Sequence, residues 1–402
     1  MSAQANAVIV GASAAGLAAA DGLRDGGWLG TITVLGEERH HPYDRPMLSK
    51  ALLERHTGQP AHLRSLEQLT EREIEVRTGQ AARGLDIDRR LLVTSDGDVL
   101  PWDALVVATG SRPRSLTTAD GVALPTLRTI DDLKGLRAAA ESRRSVTLVG
   151  AGLIGLEVAS ALRSRGTAVT VVSAETTPLQ PIFGPTVARW MWQKHVSSGV
   201  TGELGRTAVS VQGVPHDYSV NLDNGTVLKG DLVFASIGVT PCDEWLDGSG
   251  VRRREGVLCD RAGRTNVQGV WTAGDVARIE GSIPEDDGLS FGHWTNAVEQ
   301  GRQVGLNIAR GEERPYHSLR SFWTVQHGLT VRTLGTPDAK GADEMVEGEL
   351  NSDEFVILHS SRDGDWSGVT ACRRDRSLRE YRKLLLANGS LEEARDLAHR
   401  QK

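Results

Sequence analysis

Cysteine is scarce in this chain: Cys242, Cys259 and Cys372 are the only three among 402 residues, they lie far apart, and no Cys-x-x-Cys occurs. An odd and scattered set of that kind excludes a disulfide framework, a zinc ribbon and a dithiol redox centre, and reads as a protein of a reducing, cytoplasmic compartment with no metal site. Proline is sparse as well, at 14 residues, whereas glycine reaches 45, above the usual ~7%. That imbalance calls for tight backbone turns and not for collagen or a linker protein. Positive charge is not in excess: Lys and Arg total 46 against 52 acids, a net charge of −6, which argues against a dedicated nucleic-acid binder. No run reaches the ~18 uncharged apolar residues of a membrane span. The apolar stretch from Ala7 to Ala20 has no Lys or Arg before it, and its regularly spaced glycines argue against a signal peptide. With 39% hydrophobic and 24% charged residues, the chain folds, and its length predicts two or three domains.

What is present repeats itself. Residues 7–10 (Ala-Val-Ile-Val) form a short apolar run ended by Gly11, a helical stretch follows from Ala14 to Arg24, and a second strand from Gly30 to Leu35 closes at Gly36-Glu37. This is a βαβ unit with an acid at the end of its second strand. The same order returns later: a strand over 146–149, the turn Gly150-Ala151-Gly152-Leu153-Ile154-Gly155, a helix to Arg165 and a strand over 168–172. Each half also carries a later buried strand with a glycine exit, Ala104 to Gly110 in the first and Asp231 to Gly238 in the second. A further strand and turn over 269–275 presents Asp275, and a helix is expected from about Thr295 to Ala309. From Ser321 the texture changes to alternating strand-like pieces, ending in a charged helix from Leu378. The expected fold is α/β: two Rossmann-like dinucleotide-binding domains plus a small α+β C-terminal domain. The expected boundaries are 1–113 with 245–320 for the first, 114–244 for the second, and 321–402 for the last.

The two glycine motifs carry the first chemistry. Gly11-x-Ser13-x-x-Gly16 and Gly150-x-Gly152-x-x-Gly155 place helix N-termini, with unpaired N–H groups and partial positive charge, where a pyrophosphate sits. Their glycines permit the turn, the approach of the phosphate and the close helix–strand contact. Ser13 replaces the middle glycine of the first motif. Two such motifs, each in a strand–turn–helix context, imply two dinucleotides and suggest a flavoprotein reductase.

Longer matches then carry a resemblance. The run from His41 to Lys50 (His-Pro-Tyr-Asp-Arg-Pro-Met-Leu-Ser-Lys), Ala108-Thr109-Gly110, Leu127-Arg128-Thr129, Gly150 to Glu157, Thr272-Ala273-Gly274-Asp275, Trp294 to Ala297 and Ser321 to Gln326 together resemble the ferredoxin reductases of bacterial oxygenase systems. These are FAD- and NAD(P)H-dependent partners of cytochromes P450 and Rieske dioxygenases, and the resemblance runs from about residue 6 to about residue 385. It implies FAD and NADH as cofactors, NADPH remaining open, and a FAD site of Gly11, Ser13, Ala14, Ala15 and Gly16 at the pyrophosphate, Glu37 at the adenosine ribose, and Arg45 and Lys50 near pyrophosphate and flavin. Ala82 near the adenine, the Ala108, Thr109 and Gly110 strand end, Arg128, Asp275 and Trp294 complete that site. For the nicotinamide coenzyme it implies Gly150, Gly152, Leu153, Ile154, Gly155, Ser173, Glu175 and Gly238. A carboxylate suits two ribose hydroxyls and an arginine suits phosphate. The same resemblance implies that Glu157 approaches the flavin and pairs with Lys50, these two being the catalytic residues.

Related disulfide reductases need a Cys-x4-Cys pair, and related peroxidases and oxidases a single cysteine at about Ser49 or Lys50; this chain has neither. The flavin is then the branch point between a hydride and single electrons, and a [2Fe-2S] ferredoxin, feeding a P450 or Rieske oxygenase, is the expected acceptor. Arg310, Arg314, Arg320, Arg373 and Arg374 are candidates for a basic face that receives it. An NAD(P)H oxidase or diaphorase, and a redox-responsive FAD/NAD-binding protein without efficient turnover, are the alternatives. No nucleic acid or membrane partner is expected, and the chain is read as a monomer or dimer. The sequence departs from the family at three places: Ser173 where similar sequences have an acid, with Glu175 two residues on and no Lys or Arg from Ser173 through Thr186; Gly292 where an acid often precedes His-Trp; and Val325 where an Asp usually follows Phe-Trp-Ser.

Overall fold

The computed structural model describes residues 5–55, 58–141, 145–214, 216–280, 292–317 and 319–401. The chain folds into two compact units: described residues of 1–44, 60–112 and 239–318 form the first, and those of 45–59, 113–238 and 319–402 the second.

In the first unit, the Asn6–Val10 strand is buried at every position but its first, as a strand must be when both faces of its sheet are covered. It is the middle member of a five-stranded parallel sheet ordered Val270–Thr272, Ala104–Val107, Asn6–Val10, Thr31–Gly36, Ile74–Thr78. Ala7 stands opposite Ile32 on one side and Ala104 on the other. Alternate side chains leave on opposite faces, so Ala7 and Ile9 join a core with Leu17 and Leu23 of the Ala14–Asp25 helix, while Val8 and Val10 join a second core with Leu92, Trp102 and Leu246. The order reverses between Asn6–Val10 and Ala104–Val107, the point at which open parallel sheets take their ligands.

The second unit repeats the plan with four parallel strands, ordered Val200–Leu204, Val169–Ser173, Val146–Val149, Leu232–Ala235. It also holds a five-stranded antiparallel sheet ordered Ser321–Gln326, Leu329–Gly335, Trp366–Cys372, Glu354–Ser360, Ala342–Glu349. Two helices close that sheet: Leu378, Tyr381, Ala394 and Ala398 pack on Val356, Leu358, Val369 and Ala371. Where the sequence suggested one charged helix from Leu378, the structure has Asp375–Leu386 and Leu391–Gln401. Asn388 at φ +55°, followed by Gly389, ends the first of them in the manner of a left-handed helix terminus.

The Arg45–Gln59 segment belongs to this second unit, and two arginines show why. Arg137 donates from Nε and Nη2 to the Leu52 carbonyl at 3.0 and 2.8 Å, and Arg165 donates from Nη1 to that of Leu53 at 3.0 Å. These bonds satisfy carbonyls that a four-residue helix, Ala51–Glu54, leaves open. No described helix is long and apolar enough to cross a membrane.

The first unit depends on one close helix pairing. The Ala14–Asp25 helix meets Trp294–Arg310 backbone to backbone: a Cβ on Gly301 would lie 2.2 Å from the Ala15 carbonyl oxygen, and one on Gly305 2.1 Å from that of Ala19. Gly305→Ala therefore forces the helices apart and is expected to cost about 2–3 kcal/mol, read as a lower urea midpoint with an unchanged slope; an unaltered midpoint would show that the pairing tolerates a methyl group.

Candidate active site

The two glycine turns are built alike. Gly11 has φ +119° and Gly150 φ +104°, and a Cβ on either would strike the next strand's exit, at 2.1 Å from the Ala108 oxygen and 2.2 Å from the Ser236 oxygen. Gly16 and Gly155 pack onto the turns themselves, where a Cβ would stand 1.8 Å from the Gly11 oxygen and 2.6 Å from the Gly150 oxygen. The middle position is different: a Cβ on Gly152 meets nothing within 4 Å, so Ser13 at the equivalent place brings no clash. Neither Ser13 nor Gly152 supplies a side-chain cap, and neither helix has an acid in its first turn. The N–H groups of Ala14, Ala15 and Gly16, and of Leu153, Ile154 and Gly155, thus sit at bare, positively polarised helix ends suited to phosphate.

In the first unit Glu37 is exposed just beyond its strand, and half-buried Asp275 accepts from Ser111 Oγ at 3.3 Å. Thr109 Oγ1 donates to the Cys242 carbonyl at 2.5 Å, and the Gly110 carbonyl accepts from Cys242 N; buried Ala108 and Gly110, at φ +69°, frame that strand end. Ala82 is buried in the core with Val8, Val10 and Leu35, so only its backbone is available to a ligand. Trp294 is 39% exposed at the start of a helix whose preceding His293 gives no side-chain cap. These residues, with Gly11 to Gly16, offer the acids, amides and exposed ring that a flavin dinucleotide requires.

The second unit holds Arg45, Lys50 and Arg128, also expected at the FAD site, and a buried polar cluster. Arg45 donates from Nη1 to the Arg128 carbonyl at 2.5 Å. Glu157, on the helix opened by the second glycine turn, is only 3% exposed. Its Oε2 accepts from Lys50 Nζ at 2.9 Å and Ser49 Oγ at 2.5 Å, and its Oε1 from Thr324 Oγ1 at 2.6 Å. Lys50 also lies over the Trp323 ring, 4.4 Å from its centroid, a cation–π contact that holds the ammonium without neutralising it. The sequence pointed to Lys50 and Glu157. It did not point to Thr324 or Trp323 as their partners, because 167 residues separate Thr324 from Glu157 and no local pattern joins them.

At the end of the Val169–Ser173 strand, buried Ser173 accepts at Oγ from Glu175 N at 3.1 Å, and its carbonyl accepts from Arg206 N at 2.9 Å. The Glu175 carbonyl accepts from Gly205 N. The chain therefore turns tightly after Ser173, leaving Glu175 exposed, and brings exposed Arg206 to the same strand end. The sequence shows no cation between Ser173 and Thr186; the structure supplies one from the neighbouring strand's exit. Gly238, at φ +95° and exposed, accepts at its carbonyl from Arg114 N.

Burial disposes of two of the thiols as redox groups. It pushes Cys259 up to about 12 and Cys372 up to about 11, far from the thiolate that exchange chemistry needs. Among the arginines proposed for a docking face, Arg310, Arg314 and Arg373 are exposed; Arg314 is bound to Glu312, and half-buried Arg374 to Glu354. Arg310 and Arg314 lie in the first unit; Arg320, Arg373 and Arg374 lie in the second.

Known proteins share this fold. Residues 5–301 match the family model described as pyridine nucleotide-disulphide oxidoreductase. The chain is 32% identical over 389 residues to the benzene 1,2-dioxygenase system ferredoxin--NAD(+) reductase subunit of Pseudomonas putida, covering 96% of this chain and 93% of that one. Among solved structures, the ferredoxin reductase for the CYP199A2 system from Rhodopseudomonas palustris superposes with a TM-score of 0.90 at 28% identity and covers 98% of each chain. The putidaredoxin reductase in its covalent complex with putidaredoxin gives 0.85 at 27%, over 94% of this chain and 92% of that one. The chain belongs to the pyridine nucleotide-disulphide oxidoreductase family, and within it to the flavoprotein ferredoxin reductases of oxygenase systems.

Proposed function

We propose that this protein carries electrons from NADH, through a bound FAD, to a [2Fe-2S] ferredoxin that serves a P450 or Rieske-type oxygenase in the cytoplasm. The observation that carries this reading is the cluster around Glu157: where a related peroxidase or oxidase needs a single reactive cysteine, this chain has Ser49 and Lys50, both bonded to one buried carboxylate. In the domain reading, FAD sits on the Gly11–Gly16 turn and NADH on the Gly150–Gly155 turn. FAD, when bound, accepts a hydride and releases electrons singly. The balance is one NADH and two oxidised ferredoxins giving NAD+, two reduced ferredoxins and one proton.

The protein's own part is electrostatic and positional. The bare helix ends would hold the two pyrophosphates, Glu37 would take the adenosine ribose and Arg45 phosphate. Lys50 Nζ would present a fixed positive charge to a flavin bound beside it, and Glu157 fixes that ammonium. A preset charge of this kind lowers a barrier because it needs no reorganisation during the reaction. Oxygen in place of ferredoxin as the final acceptor is the competing outcome of the same assay.

The purified protein is expected to be yellow with FAD, and its steady-state NADH oxidation to rise at least tenfold on adding a [2Fe-2S] ferredoxin. A colourless protein that takes up no FAD, or turnover indifferent to ferredoxin, contradicts the proposal. Lys50→Met and Glu157→Gln should each slow flavin reduction by about a hundredfold while the FAD content stays near that of the parent; unchanged rates would remove the pair from the mechanism.

Coenzyme choice turns on Glu175 and Arg206. A strand-end carboxylate repels a 2′-phosphate and an arginine attracts it, and here both flank Ser173. NADH is expected to be preferred, and Glu175→Ala, which leaves Arg206 unopposed, should cut the ratio of kcat/KM for NADH over NADPH by about tenfold, or ~1.4 kcal/mol. A parent enzyme that favours NADPH, or a ratio unmoved by the substitution, counts against this assignment.

A further inference from the structure

Behind Glu157 the hydrogen bonds do not stop. Thr324 Oγ1, which donates to Glu157, accepts from Gln326 Nε2 at 2.9 Å. Gln326 Oε1 lies 2.7 Å from His195 Nε2, and His195 Nδ1 lies 3.0 Å from His327 Nε2. His327 Nδ1 then lies 3.1 Å from Ser198 Oγ. His195 and Thr324 are fully buried and Gln326 nearly so, but half-buried His327 lines a surface depression with Glu54, Ser160, Arg163, Ser164, Ser198 and Gly328. Every member of this chain belongs to the second unit.

Donor and acceptor rules fix its direction. An amide oxygen only accepts, so His195 carries its proton on Nε2; its Nδ1 then accepts, and His327 donates from Nε2. All donors point from the surface toward the carboxylate: His327 to His195, His195 to Gln326, Gln326 to Thr324, Thr324 to Glu157. The chain does not pass protons inward, since the Gln326 amide would have to become an imidic acid to hand one on. It passes polarisation, because bonds aligned head to tail strengthen one another.

We propose that His327 and His195 are positioning residues for Glu157, and that protonation of His327 at the surface sets how strongly Glu157 holds Lys50. This rests on the reading of Lys50 and Glu157 as the pair that serves the flavin. A positive charge at His327 draws Glu157 toward Thr324 and loosens its hold on Lys50, with no change in covalent structure. The geometry suits a titrating outer ring and a silent inner one. Burial, and then the nearby His327, pull His195 down to about 4, so it stays neutral above that pH. Burial and the Lys194 ammonium hold His327 below the usual histidine value of 6.5. The charged groups facing His327 are Lys194, itself bound to Asp353, and, across the depression, Arg163 and Glu54. Arg163 is already committed to the Ser198 and Thr167 carbonyls.

The turn allows a clean variant. His327 (φ +50°) and Gly328 (φ +73°) are the two central residues of the hairpin between Ser321–Gln326 and Leu329–Gly335. Asn-Gly is the preferred pair for such a turn, so His327→Asn keeps the hairpin and removes the ring. The test is a pH titration of the 13C-carboxyl resonance of Glu157 in the FAD-reconstituted chain, assigned by its loss in Glu157→Gln, with the His327 ring followed alongside. In the parent the carboxyl signal should move with the His327 midpoint, below 6.5. In His327→Asn that movement is lost; in Gln326→Leu it is lost although His327 still titrates. The rate of anaerobic flavin reduction by NADH should inflect at the same midpoint in the parent and not in His327→Asn. A carboxyl signal that stays still while His327 titrates, or that still moves in Gln326→Leu, overturns the proposal. If the chain binds no flavin, the functional reading fails, and the same carboxyl titration on the flavin-free chain still decides the relay.

Discussion

A carboxylate that is 3% exposed needs partners, and Glu157 takes three: an ammonium and two hydroxyls. They come from separate stretches of sequence, the Ser49-Lys50 pair and the strand that opens the antiparallel sheet. Removing one partner from such a group costs about 3–5 kcal/mol, because the other charge stays buried. Meeting the demand fixes the Arg45–Gln59 segment, the Leu153–Ser164 helix and the Ser321–Gln326 strand around a single point. The second unit is therefore organised by a polar requirement as much as by its apolar cores.

The two parallel sheets show the opposite economy. Neither Gly11 nor Gly150 has room for a side chain, and each turn presses against a carbonyl from the next strand over. Close packing there and bare amides at the helix start are one feature: the turn that excludes a Cβ also aims the N–H groups outward. The bare helix end after Ser13 is matched on the apolar side by the Gly301 and Gly305 contacts, which bring the Trp294–Arg310 helix against that one.

Local pattern made much of this legible. The apolar runs, the glycine turns and the acid at Glu37 are contiguous signals, and the strands and helices they predicted fall within a few residues of those observed. Separation in sequence hid the rest. Arg206 reaches the Ser173 strand end from the neighbouring strand, so a scan of residues 173–186 misses it. Thr324, Gln326 and His327 look like ordinary strand and turn residues, and His195 like one polar position in a helix; only the packed structure joins them. The charged stretch from Leu378 reads as one helix, and the structure breaks it at Asn388-Gly389.

The central claim is that Lys50 and Glu157 act on the flavin as one unit. A double-mutant cycle on the anaerobic rate of flavin reduction by NADH, using the parent, Lys50→Met, Glu157→Gln and the double variant, measures that coupling directly. The account predicts that the double variant is no slower than the slower single one, since losing either partner already dissolves the pair. Two losses that multiply, leaving the double variant slower by the product of both, would contradict it.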